Sequence, residues 1–175
     1  MSSILLFTGL SGSGKTTLAK AVSQKLEAEG HAVSIIDGDV YRNSISKDLG
    51  FSEEDRRENM RRLMEVARQK RQLGHTVLVS AINPFEDQRL LLAEKTGAYI
   101  VYIECPLPVV TKRDTKGLYK RAMLPQDHPE KLHNLTGVND RYDVPAQPDL
   151  TINSDELGIR EAVEKLMQFI RRHST

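Results

Sequence analysis

Tryptophan is missing from this chain of 175 residues, cysteine occurs once, and aromatic side chains make up only 5% of it. A lone thiol, Cys105, cannot close an intramolecular disulfide, so the fold must rest on its apolar core, and a reducing compartment suits it. Its place at the end of an apolar run reads as a buried structural thiol without chemistry of its own. The formal net charge is only +1, which removes any general electrostatic reason to expect nucleic acid or an anionic membrane as partner. The apolar residues near the amino terminus, Ile4 to Phe7, are too few for a signal peptide or a membrane span, and no basic segment leads them. The expectation is a cytoplasmic protein. With 39% hydrophobic and 28% charged residues, the chain has the composition of one soluble domain, and no internal repeat divides it.

What is present is a phosphate-binding loop. Residues Gly9-Leu10-Ser11-Gly12-Ser13-Gly14-Lys15-Thr16 fit the pattern G-x-x-x-x-G-K-[ST], between an apolar strand-like run and a helix-like stretch beginning near Lys15. Glycines let consecutive N–H groups turn inward toward an anion, and the following helix adds the positive end of its dipole. In that setting Lys15 reaches the β- and γ-phosphates and the Thr16 hydroxyl is a Mg²⁺ ligand.

Taken in order, Ser3 to Thr8 reads as a buried strand, Lys15 to Glu29 as a helix stopped by Gly30, and His31 to Asp37 as a second strand. That strand ends in Asp37-Gly38-Asp39, two carboxylates at the edge where open α/β sheets bind ligands. A short polar segment with Tyr41 and Arg42 follows. Ser52 is the expected N-cap of a helix running to Leu73 and closed by Gly74. Its inward stripe, Met60, Leu63, Met64 and Ala67, continues toward the amino terminus onto Asn59 and Arg56, and polar groups on an inward stripe imply a polar pocket. Arg57, Arg61 and Arg68 are assigned to a solvated face.

Thr76 to Ile82 is a third strand, and here another absence is informative. It ends Ser80-Ala81-Ile82-Asn83, without the aspartate that many P-loop NTPases carry at that point, so the catalytic carboxylate must come from Asp37 or Asp39. Phe85 to Lys95 reads as a helix, Tyr99 to Glu104 as a strand and Pro106 to Lys112 as a short helix. Residues 113–148 are irregular and Pro-interrupted, the pattern expected of a lid over the phosphates. Leu150 to Ile152 is the fifth strand, Ser154 a candidate cap, and Ile159, Ala162, Val163, Leu166 and Ile170 the buried stripe of a last helix. The alternation predicts a three-layer α/β P-loop fold, a doubly wound five-stranded parallel sheet in a single domain over residues 1–175. A small phosphoryl-transfer kinase is the implied class.

Several stretches are more specific. Asp37-Gly38-Asp39, Leu49-Gly50-Phe51-Ser52 with Asp55-Arg56 and Glu58-Asn59, Arg113-Asp114 with Lys116-Gly117-Leu118-Tyr119, and Thr136-Gly137-Val138 occur in the order of the adenylylsulfate kinase (APS kinase) family, which the chain resembles over almost its whole length. The resemblance implies transfer of the ATP γ-phosphate to the 3′-hydroxyl of adenosine 5′-phosphosulfate (APS), giving PAPS, with Mg²⁺ as cofactor and ATP and APS as small-molecule partners. It leaves a homodimer open.

By the same resemblance Lys15, Asp37, Asp39 and Lys116 surround the transferring phosphoryl group, and Thr16 and Asp39 hold the metal. Gly9, Ser11, Gly12, Ser13, Gly14, Thr16 and Thr17 hold the ATP phosphates, while Arg113 and residues 155–159 border its adenine. Asp37, Arg42, Arg56, Asn59, Ile82, Asn83 and Lys116 face the acceptor, with Phe51 and Leu135 about its adenine. Which aspartate is the base is open, Asp37 being preferred.

The chain departs from the family at Asn83, where serine is usual, at Leu135, where phenylalanine is usual, and through residues 120–134. All three departures fall on the acceptor side. They keep in play a kinase of the same fold acting on another nucleotide or phosphorylated small molecule. A nucleotide-dependent regulatory module is the alternative of another class, opposed by intact Asp37, Asp39 and Lys116.

Overall fold

The computed structural model describes residues 2–173. Five strands, β1 (Ile4–Thr8), β2 (Val33–Asp37), β3 (Thr76–Ser80), β4 (Ala98–Glu104) and β5 (Leu150–Asn153), form one sheet in the order β2-β3-β1-β4-β5. Every pairing is parallel. A parallel sheet is covered on both faces, which is why β1 and β3 are buried along their whole length. Side chains alternate across β1: Leu5 and Phe7 pack with α1 (Lys15–Ala28) and α7 (Ile159–His173), whereas Ile4 and Leu6 pack with α3 (Glu53–Gln72) and α4 (Glu86–Thr96).

The chain leaves β1, builds β3 and β2 on one side, then returns to place β4 and β5 on the other. β1 is therefore the point where the strand order reverses, and the loop after it opens into the crevice beyond the carboxyl ends of the strands.

The expected elements are all present, with corrected edges. β2 begins at Val33 rather than His31, and β3 ends at Ser80 rather than Ile82. Ser52 caps α3 as expected, its hydroxyl accepting from Asp55 N at 3.1 Å. Two expectations about the last helix fail. Ser154 lies outside α7, and the turn there is made by Asn153, whose Oδ1 accepts from Asp155 N and Glu156 N. Ile159, at the first position of α7, is 57% exposed, because one turn of the sheet-facing stripe is not yet seated there. The polar segment after β2 is a short helix, α2 (Gly38–Arg42). Residues 113–148 hold one further helix, α6 (Leu118–Ala122), after α5 (Leu107–Arg113).

The lid has a core of its own: Tyr119, Ala122 and Leu135 pack with Cys105 and Val110, and Leu10 of the phosphate loop packs against them. Cys105 is buried and free, the structural thiol expected.

Leu166 is fully buried on α7, remote from the crevice. Leu166→Ala should cost about 3 kcal/mol of stability through lost burial and a residual cavity. Urea unfolding would show a lower midpoint with an unchanged slope.

Candidate active site

The loop between β1 and α1 is shaped by contacts that only glycine satisfies. At Gly9, φ is 153°, and a Cβ would lie 2.4 Å from Ile103 O. At Gly137, φ is 85° and a Cβ would lie 2.5 Å from Leu10 Cδ2, which is how closely the lid approaches the loop. Tyr119, 2% exposed, ties the two together by donating its hydroxyl to Ser11 O at 2.7 Å.

Lys15 lies inside this loop. Its ammonium donates to the carbonyls of Gly9 and Leu10, both at 2.8 Å, with Ser13 Oγ at 3.5 Å. Burial, and then the nearby Lys116, pull its pKa from 10.5 down to about 7, against the opposing pull of Asp39 and Asp37. A buried ammonium whose hold on its proton is weakened in this way would be stabilised by an anion.

Thr16 Oγ1 donates to Asp37 Oδ2 at 2.7 Å and lies 3.2 Å from Ser80 Oγ. The other Asp37 oxygen, Oδ1, caps α2 by accepting from Asp39 N at 3.0 Å and Val40 N at 3.3 Å. The sequence expectation grouped Thr16 with Asp39; the structure groups it with Asp37, because the cap turns Asp37 back toward the loop. Asp39 points instead to the lid, where Oδ2 accepts from Lys116 Nζ. Ser80 occupies the strand end that lacked a carboxylate and was not singled out from sequence. These oxygens suit a hard cation. Among the described residues no cluster of three or more His, Cys, Asp or Glu could hold a metal by itself.

One cavity of about 660 Å³ is lined by Ser11, Gly12, Gly14, Lys15, Thr16 and Thr17, and by Asp37, Asp39, Phe51, Arg56, Ile82, Lys116 and Leu135. A contiguous pocket of about 90 Å³ adds Arg42, Asn59 and Asn83. Gly9 and Ser13, expected among the ATP-binding residues, line neither cavity and instead contact the Lys15 ammonium through Gly9 O and Ser13 Oγ. Arg113 lines neither cavity: Nη2 donates to Ser154 O at 3.0 Å and Nη1 lies 3.5 Å from Cys105 Sγ.

At the end of the cavity expected to take the acceptor, Phe51 is 54% exposed, with Arg42 stacked over its ring at 4.4 Å and Arg56 at 5.7 Å. An exposed ring beside a cavity offers a stacking face. Arg56 and Asn59 are buried, as their stripe implied. Arg56 is nevertheless held mainly by the protein. Nε donates to Phe51 O at 2.9 Å, Nη1 to Thr136 Oγ1 at 3.1 Å and Nη2 to Asn134 O at 2.7 Å, and Asp140 pairs with it at 3.1 Å. It thus links α3 to the lid, a role the periodicity of α3 could not show. Asn59 Oδ1 and both amide atoms of Asn83 are buried without a partner among the described residues. Orphaned buried polar atoms call for a ligand or water. Arg61 and Arg68 are solvated as expected, while Arg57 is half-buried over the Phe85 ring at 4.4 Å.

A parallel sheet with a lysine-bearing phosphate loop at its switch point, flanking carboxylates and a basic lid is the site of a P-loop kinase. The sequence profile of the adenylylsulphate kinase family matches residues 1–153, and the chain belongs to that family. The adenylyl-sulfate kinase of Deinococcus deserti is 41% identical over 168 residues, covering 95% of this chain and 90% of that protein. The probable adenylyl-sulfate kinase of Halalkalibacterium halodurans is 44% identical over 172 residues, covering 97% of this chain and 83% of that one. The solved structure of the Mycobacterium tuberculosis APS kinase in complex with AMPPNP and APS superposes with a TM-score of 0.89 at 36% identity, covering 97% of this chain and 98% of that one.

Phosphates seated against Lys15 stabilise its charged form and raise its pKa from about 7. ATP binding should therefore take up protons above neutral pH, and affinity should fall as pH rises from about 7 toward the pKa of the bound lysine. Without ligand the sign reverses: the folded pKa lies below the unfolded value, so Lys15 adds stability as pH rises from about 7 to 10.5. Calorimetry at pH near 8 in buffers of differing ionisation enthalpy would read the uptake, and its absence would contradict this account of Lys15.

Proposed function

We propose that the protein transfers the γ-phosphoryl group of ATP to the 3′-hydroxyl of APS, releasing ADP and PAPS. The observation that carries the reading is a single cavity lined both by the phosphate loop and by the acceptor-side residues Phe51, Arg56 and Leu135, with Asp37, Asp39 and Lys116 on the same wall. ATP phosphates take the ring of inward N–H groups and displace the Lys15 ammonium from the carbonyls of Gly9 and Leu10. The acceptor adenine stacks on Phe51 and packs against Leu135, and Arg42, Asn59 and Asn83 face its anionic portion.

Thr16 and Asp37, whose oxygens already meet, would hold Mg²⁺ together with phosphate oxygens and water. Bound there, the cation neutralises charge on the β- and γ-phosphates. In the transfer the 3′-oxygen bonds to the γ-phosphorus in line as the bond to the ADP oxygen breaks. Lys15 and Lys116 stabilise charge on the moving group, and a carboxylate takes the hydroxyl proton.

Asp37 was the preferred base from sequence. The geometry favours Asp39, because both Asp37 oxygens accept protein hydrogen bonds, whereas among the described contacts Asp39 commits only Oδ2, to Lys116. Asn83 stands where serine is usual in the family; its amide is a poor nucleophile and cannot carry a serine-type phosphoester, so transfer is direct.

We assign the protein to the cytoplasm, a reducing compartment that suits its free, buried Cys105. A homodimer would be read by light scattering.

The deciding experiment is acceptor-dependent ADP release with APS beside a panel of other nucleotides and phosphorylated small molecules. APS should give by far the highest kcat/KM, and another acceptor outrunning it would overturn the assignment. Asp39→Asn should lower kcat about a hundredfold if it is the base, while Asp37→Asn should mainly raise the Mg²⁺ needed. Lys15→Ala should fold yet lose most transfer. γ-Labelled ATP without acceptor should leave no stoichiometric label on the denatured protein.

A further inference from the structure

We propose that Arg89 is a positioning residue for the acceptor: it pins the Asn83 carbonyl and so holds the Asn83 amide in the acceptor pocket. The inference rests on the phosphotransfer reading above and adds a residue remote from the reacting atoms.

Arg89 lies on α4 with no exposure at all, the largest fully buried side chain among the described residues. Its planar fork reaches three separate acceptors. Nη1 donates to Asn83 O at 2.6 Å, Nη2 donates to Asp143 O, and Nε donates at 3.0 Å to Glu86 Oε2, which supplies the balancing charge. Such a fixed, bidentate-capable group is what arginine provides and lysine does not.

The carbonyl it holds belongs to a residue in an uncommon conformation. Asn83 has φ 46°, in the left-handed region that asparagine tolerates better than most residues but that glycine alone adopts freely. A second group pins the same stretch. Thr8 Oγ1 donates to Ile82 O at 2.6 Å and lies 3.3 Å from Asn83 O; with its proton so engaged, it accepts from the Tyr142 hydroxyl at 3.1 Å. Asp143 N donates to Pro84 O at 2.8 Å, and Asp143 Oδ2 accepts from Glu86 N at 3.1 Å. The loop after β3 is thus stitched to the carboxyl-terminal root of the lid, with Arg89 as the central knot.

The consequence lies on the other side of the peptide. With its carbonyl turned inward to Arg89, Asn83 presents its side chain to the small pocket shared with Asn59 and Arg42. Asn83 is 2% exposed, and both of its amide atoms lack a partner among the described residues. A buried amide held ready in this way loses little freedom when a ligand meets it. Releasing the carbonyl would let the backbone relax toward negative φ and carry the amide out of place.

The test compares the parent protein with Arg89→Lys, Asn83→Gly and the double variant, measuring KM for APS and for ATP, kcat, and thermal stability. Arg89→Lys should raise the APS KM about tenfold and leave the ATP KM within about twofold, a split that general destabilisation would not produce. In the Asn83→Gly background there is no amide to place and no side chain opposing the left-handed backbone, so adding Arg89→Lys should cause no further rise. A parallel rise in both KM values, or an undiminished penalty in the glycine background, would overturn the inference. If Arg89→Lys does not fold, Thr8→Val cuts the other hold on the same loop: a selective rise in APS KM supports the inference and an unchanged one overturns it. Failure of the parent to use APS would overturn the functional reading and this inference with it, whereas an active parent with unselective variants would overturn this inference alone.

Discussion

The buried ammonium of Lys15 is the constraint around which the site is arranged. A cation taken out of water must be met by oxygen, and in this chain the meeting groups are backbone carbonyls of its own loop. Those carbonyls converge because Gly9 passes where any side chain would strike Ile103 O. The loop can lie so close to β4 because β1 sits at the reversal of strand order, with a parallel neighbour on each side. Burial in turn loosens the hold of Lys15 on its proton, and an anion seated beside it would restore its charge.

The lid answers the same constraint from above. Tyr119 hydrogen-bonds to the loop at Ser11, Leu10 joins the lid's apolar cluster, and Lys116 reaches across to Asp39. Arg56 then carries the connection to α3, where the acceptor-side residues begin. The phosphate loop, the lid and α3 are therefore joined through protein contacts. The cost of charge around Lys15 is shared between carboxylates on α2 and the strand before it, which is why Asp37 and Asp39 take different partners despite standing two residues apart.

Much of the fold was legible because its signals are local. Buried parallel strands read as short apolar runs, and the glycines at positions 30, 74 and 97 lie where helices end. Ser52 marked the start of α3 by its type as an N-cap. The stripe through Arg56 and Asn59 correctly foretold burial, but not that lid atoms from residues 134–140 would satisfy Arg56, since that pairing spans about eighty positions of sequence. The helix α2 was missed because five residues give too little periodicity; its one signal was the capping carboxylate of Asp37, read as chemistry alone. Ser154 looked like a cap by type, yet the adjacent Asn153 makes the turn. Ser80 and Arg89 were invisible for the same reason in different forms: one is a serine at a strand end, the other the single arginine of α4, a type that reads as a surface charge, and only packing shows what each touches.

In the proposed reaction a phosphoryl group moves once, directly, from ATP on the loop to the 3′-oxygen of APS. The most direct measurement uses ATP made stereochemically labelled at the γ-phosphorus and determines the position and configuration of the phosphoryl group in the product. Label at the 3′-oxygen with inverted configuration is the predicted result. Retained configuration, which requires an even number of transfers through the protein, or label at any other position, would contradict it.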